Sequence, residues 1–123
     1  MANILVADDN IMQLIIIERI LKKSGHLIYK AANGYDVIDI LKTNDVDVLI
    51  TDIFMPEVGG LELIMKAREL NKSIGIIAMS SGGDLIKDNR YLDYVKQLGA
   101  DFSFAKPVEK NNLRDAIEYL VEQ

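Results

Sequence analysis

Short, nearly continuous apolar runs alternate along this chain with longer stretches whose apolar positions recur at helical spacing. Five runs are too short to be buried helices and read as strands: residues 3–7, 27–31, 47–51, 74–79 and 101–105. The intervening stretches read as helices. The first covers residues 10–24, capped by Asp9 or Asn10 and ended by Gly25. A short one at 35–41 follows an Asn33-Gly34 turn. The third opens at Gly59-Gly60 and runs to about Asn71. Another spans roughly 89–98 after a Ser81-Gly82-Gly83 loop, and the last covers about 110–121 after a Lys106-Pro107 turn. These make five βα units. Apolar strands joined by helices imply a parallel sheet covered on both faces, with right-handed crossovers.

Polar residues close four of the runs. Asp8 and Asp9 follow the first, Asp52 the third, Ser80 the fourth and Lys106 the fifth. In an open parallel sheet these positions share the carboxyl edge, where ligands bind. Each has an ordinary reading taken alone: helix cap for Asp8 or Asp9, loop or cap aspartate for Asp52, strand-ending hydroxyl for Ser80, surface turn for Lys106. Taken together they form a chemical set. Adjacent carboxylates repel, and burying them without a cation raises at least one pKa; a bound Mg²⁺ removes that conflict. Asp52 precedes a segment through Pro56 to Gly59-Gly60, so it stands on a loop, free to face a pocket. A carboxylate there can act as nucleophile toward a phosphoryl group, giving an acyl phosphate, while a metal neutralises the phosphoryl oxygens. Lys106 can reach back to those oxygens as a point charge, and Pro107 permits a cis bond that could aim it inward. Ser80 can donate its hydroxyl to the same oxygens.

Composition narrows the classes. A chain of 123 residues, half of them apolar, fits one domain with a sizeable core, and no second, output domain is expected. The absence of cysteine excludes disulfides and thiolate metal sites, and a single histidine, His26, excludes a multi-histidine site. His26 is expected to be exposed and without a role. The net charge of −5 and the lack of a basic run argue against nucleic-acid binding. The N-terminal apolar run is too short and lacks the basic flank of a signal peptide. Leu14-Ile15-Ile16-Ile17 is bracketed by Gln13 and Glu18, so it cannot span a bilayer. A cytoplasmic location is expected.

Asp8-Asp9, Asp52 with Met55-Pro56 and Gly60-Leu61, Ser80, and Gly99-Ala100-Asp101 followed by Lys106-Pro107 resemble the response-regulator receiver domain of two-component signalling, in its stand-alone form. The resemblance covers essentially the whole chain. It implies a flavodoxin-like, doubly wound α/β fold: a five-stranded parallel sheet of order 2-1-3-4-5 with five helices. It implies that Asp52 takes a phosphoryl group from a histidine kinase or a histidine phosphotransfer protein. Asp8, Asp9 and Asp52 would hold Mg²⁺ with the backbone carbonyl of Phe54, and Lys106 and Ser80 would contact the phosphoryl group. Such a protein is no conventional enzyme, but it catalyses its own phosphorylation and slow dephosphorylation. One departure bears on signalling. Receivers commonly carry an aromatic residue three positions before the lysine; here that position is Ser103, between Phe102 and Phe104.

Partner surfaces are less defined. On the first helix Ile11, Leu14, Ile17 and Leu21 share the face expected to pack on the sheet. Met12 and Ile16 fall nearly opposite. They read either as scattered exposed apolar residues or as a docking patch for the kinase or phosphotransfer protein. Tyr91, Tyr94 and Val95 read either as packing residues or as a surface for an unnamed downstream target protein. Two other functions stay open: a phosphorylation-independent adaptor, and an Asp-nucleophile phosphohydrolase. The latter class places a second aspartate two residues after its nucleophile, whereas Asp8 and Asp9 are adjacent.

Overall fold

In the computed structural model, five strands form one parallel sheet in the order β2-β1-β3-β4-β5. They are β1 (Asn3–Ala7), β2 (Leu27–Ala31), β3 (Val48–Asp52), β4 (Gly75–Ser80) and β5 (Phe102–Ala105). The helices with described bounds are α1 (Ile11–Lys22), α2 (Gly34–Thr43), α3 (Gly60–Leu70) and α4 (Lys110–Val121). The structure describes residues 1–55, 58–80, 93 and 95–122. Residues 93 and 95–97 are helical and fall in the stretch expected at 89–98. Pro56, the 81–83 loop, Tyr91 and Tyr94 lie outside the described residues. The fold is the doubly wound, flavodoxin-like α/β arrangement expected from the sequence.

Burial follows strand order. The inner strands β1, β3 and β4 are almost wholly buried, whereas the edge strands β2 and β5 are half exposed. Alternate residues of the inner strands feed two separate cores. Ile4, Val6, Ile50 and Met79 pack with α1 and α4, through Leu14, Ile17 and Leu113. Leu5, Leu49, Ile76 and Ala78 pack with α2 and α3, through Val37, Leu63 and Ile64. Helices therefore cover both faces, and a strand with both faces buried needs a continuous apolar run. Among the described residues no helix is long and apolar enough to cross a membrane.

Several local expectations change. Asn33-Gly34 is not a turn: the Asn33 side chain accepts the Asp36 amide at 3.0 Å and caps α2, whose first residue is Gly34. Asn10, not Asp9, caps α1, accepting the Met12 amide at 3.0 Å. Such a cap is worth about 1 kcal/mol. Ile11 does not join the packed face of α1; it is 66% exposed, because the first turn projects past the carboxyl edge of the sheet. His26 is half-buried, and its Nδ1 accepts the Ala2 amide at 3.1 Å. That acceptor nitrogen is unprotonated, and burial lowers the His26 pKa, with the N-terminal charge adding to the effect.

Candidate functional site

The strand order reverses direction between β1 and β3, and the chain ends of those two strands flank the crevice where doubly wound sheets bind ligands. Asp8 lies one residue past β1 and is fully buried. Its Oδ1 accepts the Asn10 amide at 2.9 Å, and its own N–H donates to the Ala31 carbonyl at 3.1 Å. The same residue that caps α1 thus also steadies Asp8. Asp9 is exposed at the rim. Asp52 is the last residue of β3 and only 4% exposed. Its Oδ1 accepts the Phe54 amide at 3.3 Å.

Lys106 enters from beyond β5, its amide bonded to the Ser80 carbonyl at 2.8 Å. The Lys106-Pro107 peptide bond is cis. The ammonium is largely buried; it donates to Asp8 Oδ2 and lies 3.3 Å from Asp52 Oδ2. One cation therefore bridges two buried carboxylates. Along their strands Asp8, Asp52 and Lys106 continue the alternation of Val6, Ile50 and Phe104, so all three belong to the α1–α4 side. Burial pushes the Asp52 carboxyl above the usual carboxylate range; Lys106 opposes that shift and Asp8 adds to it.

Asp8, Asp9 and Asp52 each offer a carboxylate oxygen, and these atoms all lie within 4.8 Å of one another. Three carboxylates thus face one ammonium. The shortfall of positive charge and the all-oxygen donor set suit a hard divalent cation. Phe54 and Pro107 line the same cleft, as do Asn10, the cap of α1, and Gln13 from its first turn. The sequence reading did not single out Gln13; projecting the first helical turn three residues on from Asn10 would have found it.

Four expected site residues, Asp8, Asp9, Asp52 and Lys106, meet in this cleft, with Phe54 at its wall. Ser80 is adjacent but set apart. It is fully buried, its hydroxyl has no hydrogen-bond partner, and it follows Ala78 on the α2–α3 side. Its connection to the cleft is through its backbone carbonyl.

The model of the response regulator receiver domain matches residues 4–118. Sporulation initiation phosphotransferase F of Bacillus subtilis is 30% identical over 117 residues, covering 94% of this chain and 90% of the relative. Several further curated relatives are longer proteins, of which this chain spans 38% or less. A response regulator receiver domain protein from Clostridium thermocellum superposes with a TM-score of 0.88 at 27% identity, covering 99% of this chain and 95% of the other. The receiver domain of the sensor histidine kinase PA1611 from Pseudomonas aeruginosa superposes with a TM-score of 0.84 at 20% identity, covering 99% and 98%. That structure has a magnesium ion coordinated in its active-site cleft.

Proposed function

Because this chain belongs to the response regulator receiver domain family, we infer that it is a phosphoacceptor switch whose acceptor is Asp52. The observation that carries the reading is the trio of carboxylates within 4.8 Å, two of them buried against one bridging lysine. Asp8, Asp9 and Asp52 would hold Mg²⁺, with the Phe54 carbonyl as a further oxygen donor. The cation, when bound, supplies neutralisation of phosphoryl charge. The protein's own residues do the rest. An Asp52 carboxylate oxygen bonds to phosphorus as the donor's P–N bond breaks, and the electron pair leaves on the donor imidazole, which then takes a proton from water. Lys106 stands between Asp8 and Asp52 and can turn from either carboxylate to the incoming phosphoryl oxygens. The acyl phosphate carries about two negative charges where the Asp52 carboxylate carried one.

The donor is a histidine kinase or a histidine phosphotransfer protein. The relation to a sporulation phosphotransferase and to longer sensor-kinase relatives supports this. Its docking surface is the outer side of α1, where Met12 is 63% and Ile16 46% exposed beside the cleft. Ile11, exposed on the same first turn, extends that patch. Exposed apolar area next to an active-site mouth favours a protein donor over a small ester. The direct adjacency of Asp8 and Asp9 in the sequence and the family match favour the switch over a phosphohydrolase. Transfer of label from a phosphorylated histidine phosphotransfer protein tests the reading. Wild type accepts it with Mg²⁺ and Asp52→Asn does not. Met12→Lys with Ile16→Lys slows that transfer by about tenfold, on the order of 1.4 kcal/mol, and leaves phosphorylation by acetyl phosphate unchanged. Equal loss with both donors would contradict the docking surface.

A further inference from the structure

Among the described residues, three buried side-chain polar atoms lack a hydrogen-bond partner: Ser80 Oγ, Ser103 Oγ and Arg114 Nε. The two hydroxyls lie on neighbouring strands of one sheet face. Ser103 pairs with Ala78 and Ser80 with Ala105, so the serines stand two residues apart along the sheet. Side chains two apart on a strand share a face. Ser80, Ala78, Ser103 and Ala105 therefore form a patch of small side chains, on the side where Ala78 joins the α2–α3 core. Strand spacing of about 4.8 Å and two rises of about 3.3 Å put the two serine Cα atoms about 8 Å apart. The two hydroxyls do not bond each other. One water between them can bond both, and a buried hydroxyl is rarely left unmatched.

We propose that Ser103 is a positioning residue for Ser80. Through one bridging water, its hydroxyl holds the Ser80 hydroxyl on the α3 side of the sheet until a phosphoryl group on Asp52 offers Ser80 a charged acceptor. This rests on the phosphoacceptor reading and adds the resting-state partner that the reading lacks. A hydrogen bond to a charged oxygen is roughly twice as strong as one between neutral groups, so Ser80 exchanges partners only when the phosphoryl group is present. Ser103 never touches that group. It sets how much of the phosphoryl's binding free energy is used to turn Ser80. A hydroxyl thus serves where the receiver pattern commonly has an aromatic ring.

The test uses beryllofluoride, a phosphoryl mimic, titrated with Mg²⁺ into wild type, Ser103→Ala, Ser103→Thr, Ser80→Ala and the Ser80→Ala/Ser103→Ala double variant. Ser103→Ala frees Ser80 and binds about two- to tenfold tighter than wild type, the range set by one hydrogen bond. Ser103→Thr keeps the hydroxyl and matches wild type. In the Ser80→Ala background, Ser103→Ala changes nothing. Equal affinity of wild type and Ser103→Ala overturns the inference, and so does the same shift in both backgrounds, which marks a merely structural serine. No binding to wild type overturns the phosphoacceptor reading and this inference with it. A high-resolution crystal structure of the unphosphorylated wild type gives an answer independent of any variant. A water bonded to both Oγ atoms supports the relay; Ser103 Oγ bonded to a backbone carbonyl instead overturns it.

Discussion

At the residue scale the chemistry depends on a carboxylate that folding disfavours. Asp52 is buried beside Asp8, and the single ammonium of Lys106 is shared between them. Burial raises the Asp52 pKa in the metal-free protein, with Asp8 reinforcing the shift against the pull of Lys106. The sign of the stability effect follows from proton counting. Between the unfolded carboxylate value of about 3.9 and the raised folded value, the folded state holds a proton that the unfolded chain has released. Stability from this group is therefore present below the unfolded pKa and lost as pH rises through the folded pKa. Asp52→Asn removes that loss. In chelator at neutral pH the variant melts above wild type, and the gap closes as pH falls below about 4. Thermal melts over a pH series check this; a variant less stable than wild type at neutral pH would contradict it. The same frustration favours cation binding, since a divalent ion relieves the repulsion that the lysine only partly offsets.

At the scale of elements, the position of Asp52 is enforced from behind by α3. A Cβ on Gly60 would sit 2.3 Å from the Asp52 carbonyl oxygen and 2.5 Å from the Ile53 Cα. The Gly60 amide donates to the Ile53 carbonyl at 2.9 Å, locking the helix start against the strand end. Gly60→Ala must push α3 and the end of β3 apart. It is expected to cost about 1–3 kcal/mol, measured by denaturant unfolding, and to slow phosphorylation of Asp52 by acetyl phosphate. Unchanged stability would show that the two elements can separate freely. This close approach was not legible in the sequence, where Gly59-Gly60 reads only as a helix opening. Much else was legible. The apolar runs located all five strands because buried parallel strands need continuous apolar side chains. Their ends shift by one residue for β3 and β4, since backbone bonds such as Ile53 N–H to the Met79 carbonyl decide where pairing stops. Helical periodicity assigned Leu14, Ile17 and Leu21 to the core of α1, but it carries no information on where the sheet ends, so Ile11 was misplaced. That Asp8, Asp9, Asp52 and Lys106 meet in one cleft was legible because a strand end is a fixed point in such a fold. That Ser80 faces the other side of the sheet from Asp52 follows only from register.

At the scale of the whole molecule, the sheet separates the carboxylate cleft from the two unpartnered serines. Asp8, Asp52 and Lys106 continue the α1–α4 side, and the exposed residues Met12 and Ile16 lie on α1 beside them. Ser80 and Ser103 belong to the α2–α3 side. On the proposed reading, a phosphoryl group on Asp52 would form on one side of the carboxyl edge, and the Ser80 hydroxyl starts from the other. Drawing Ser80 across that edge would link the two cores of the molecule. Moving such an equilibrium from mostly off to mostly on takes about 5.5 kcal/mol of discrimination, of which one hydroxyl and one lysine contact supply a part. All of this requires that Asp52 be the acceptor. The most direct measurement is intact mass after incubation with acetyl phosphate and Mg²⁺. Wild type should gain a single phosphoryl group, while wild type in chelator and Asp52→Asn with Mg²⁺ should gain none. A wild-type mass that stays unchanged, or an Asp52→Asn variant that is labelled as fully as wild type, would contradict the account.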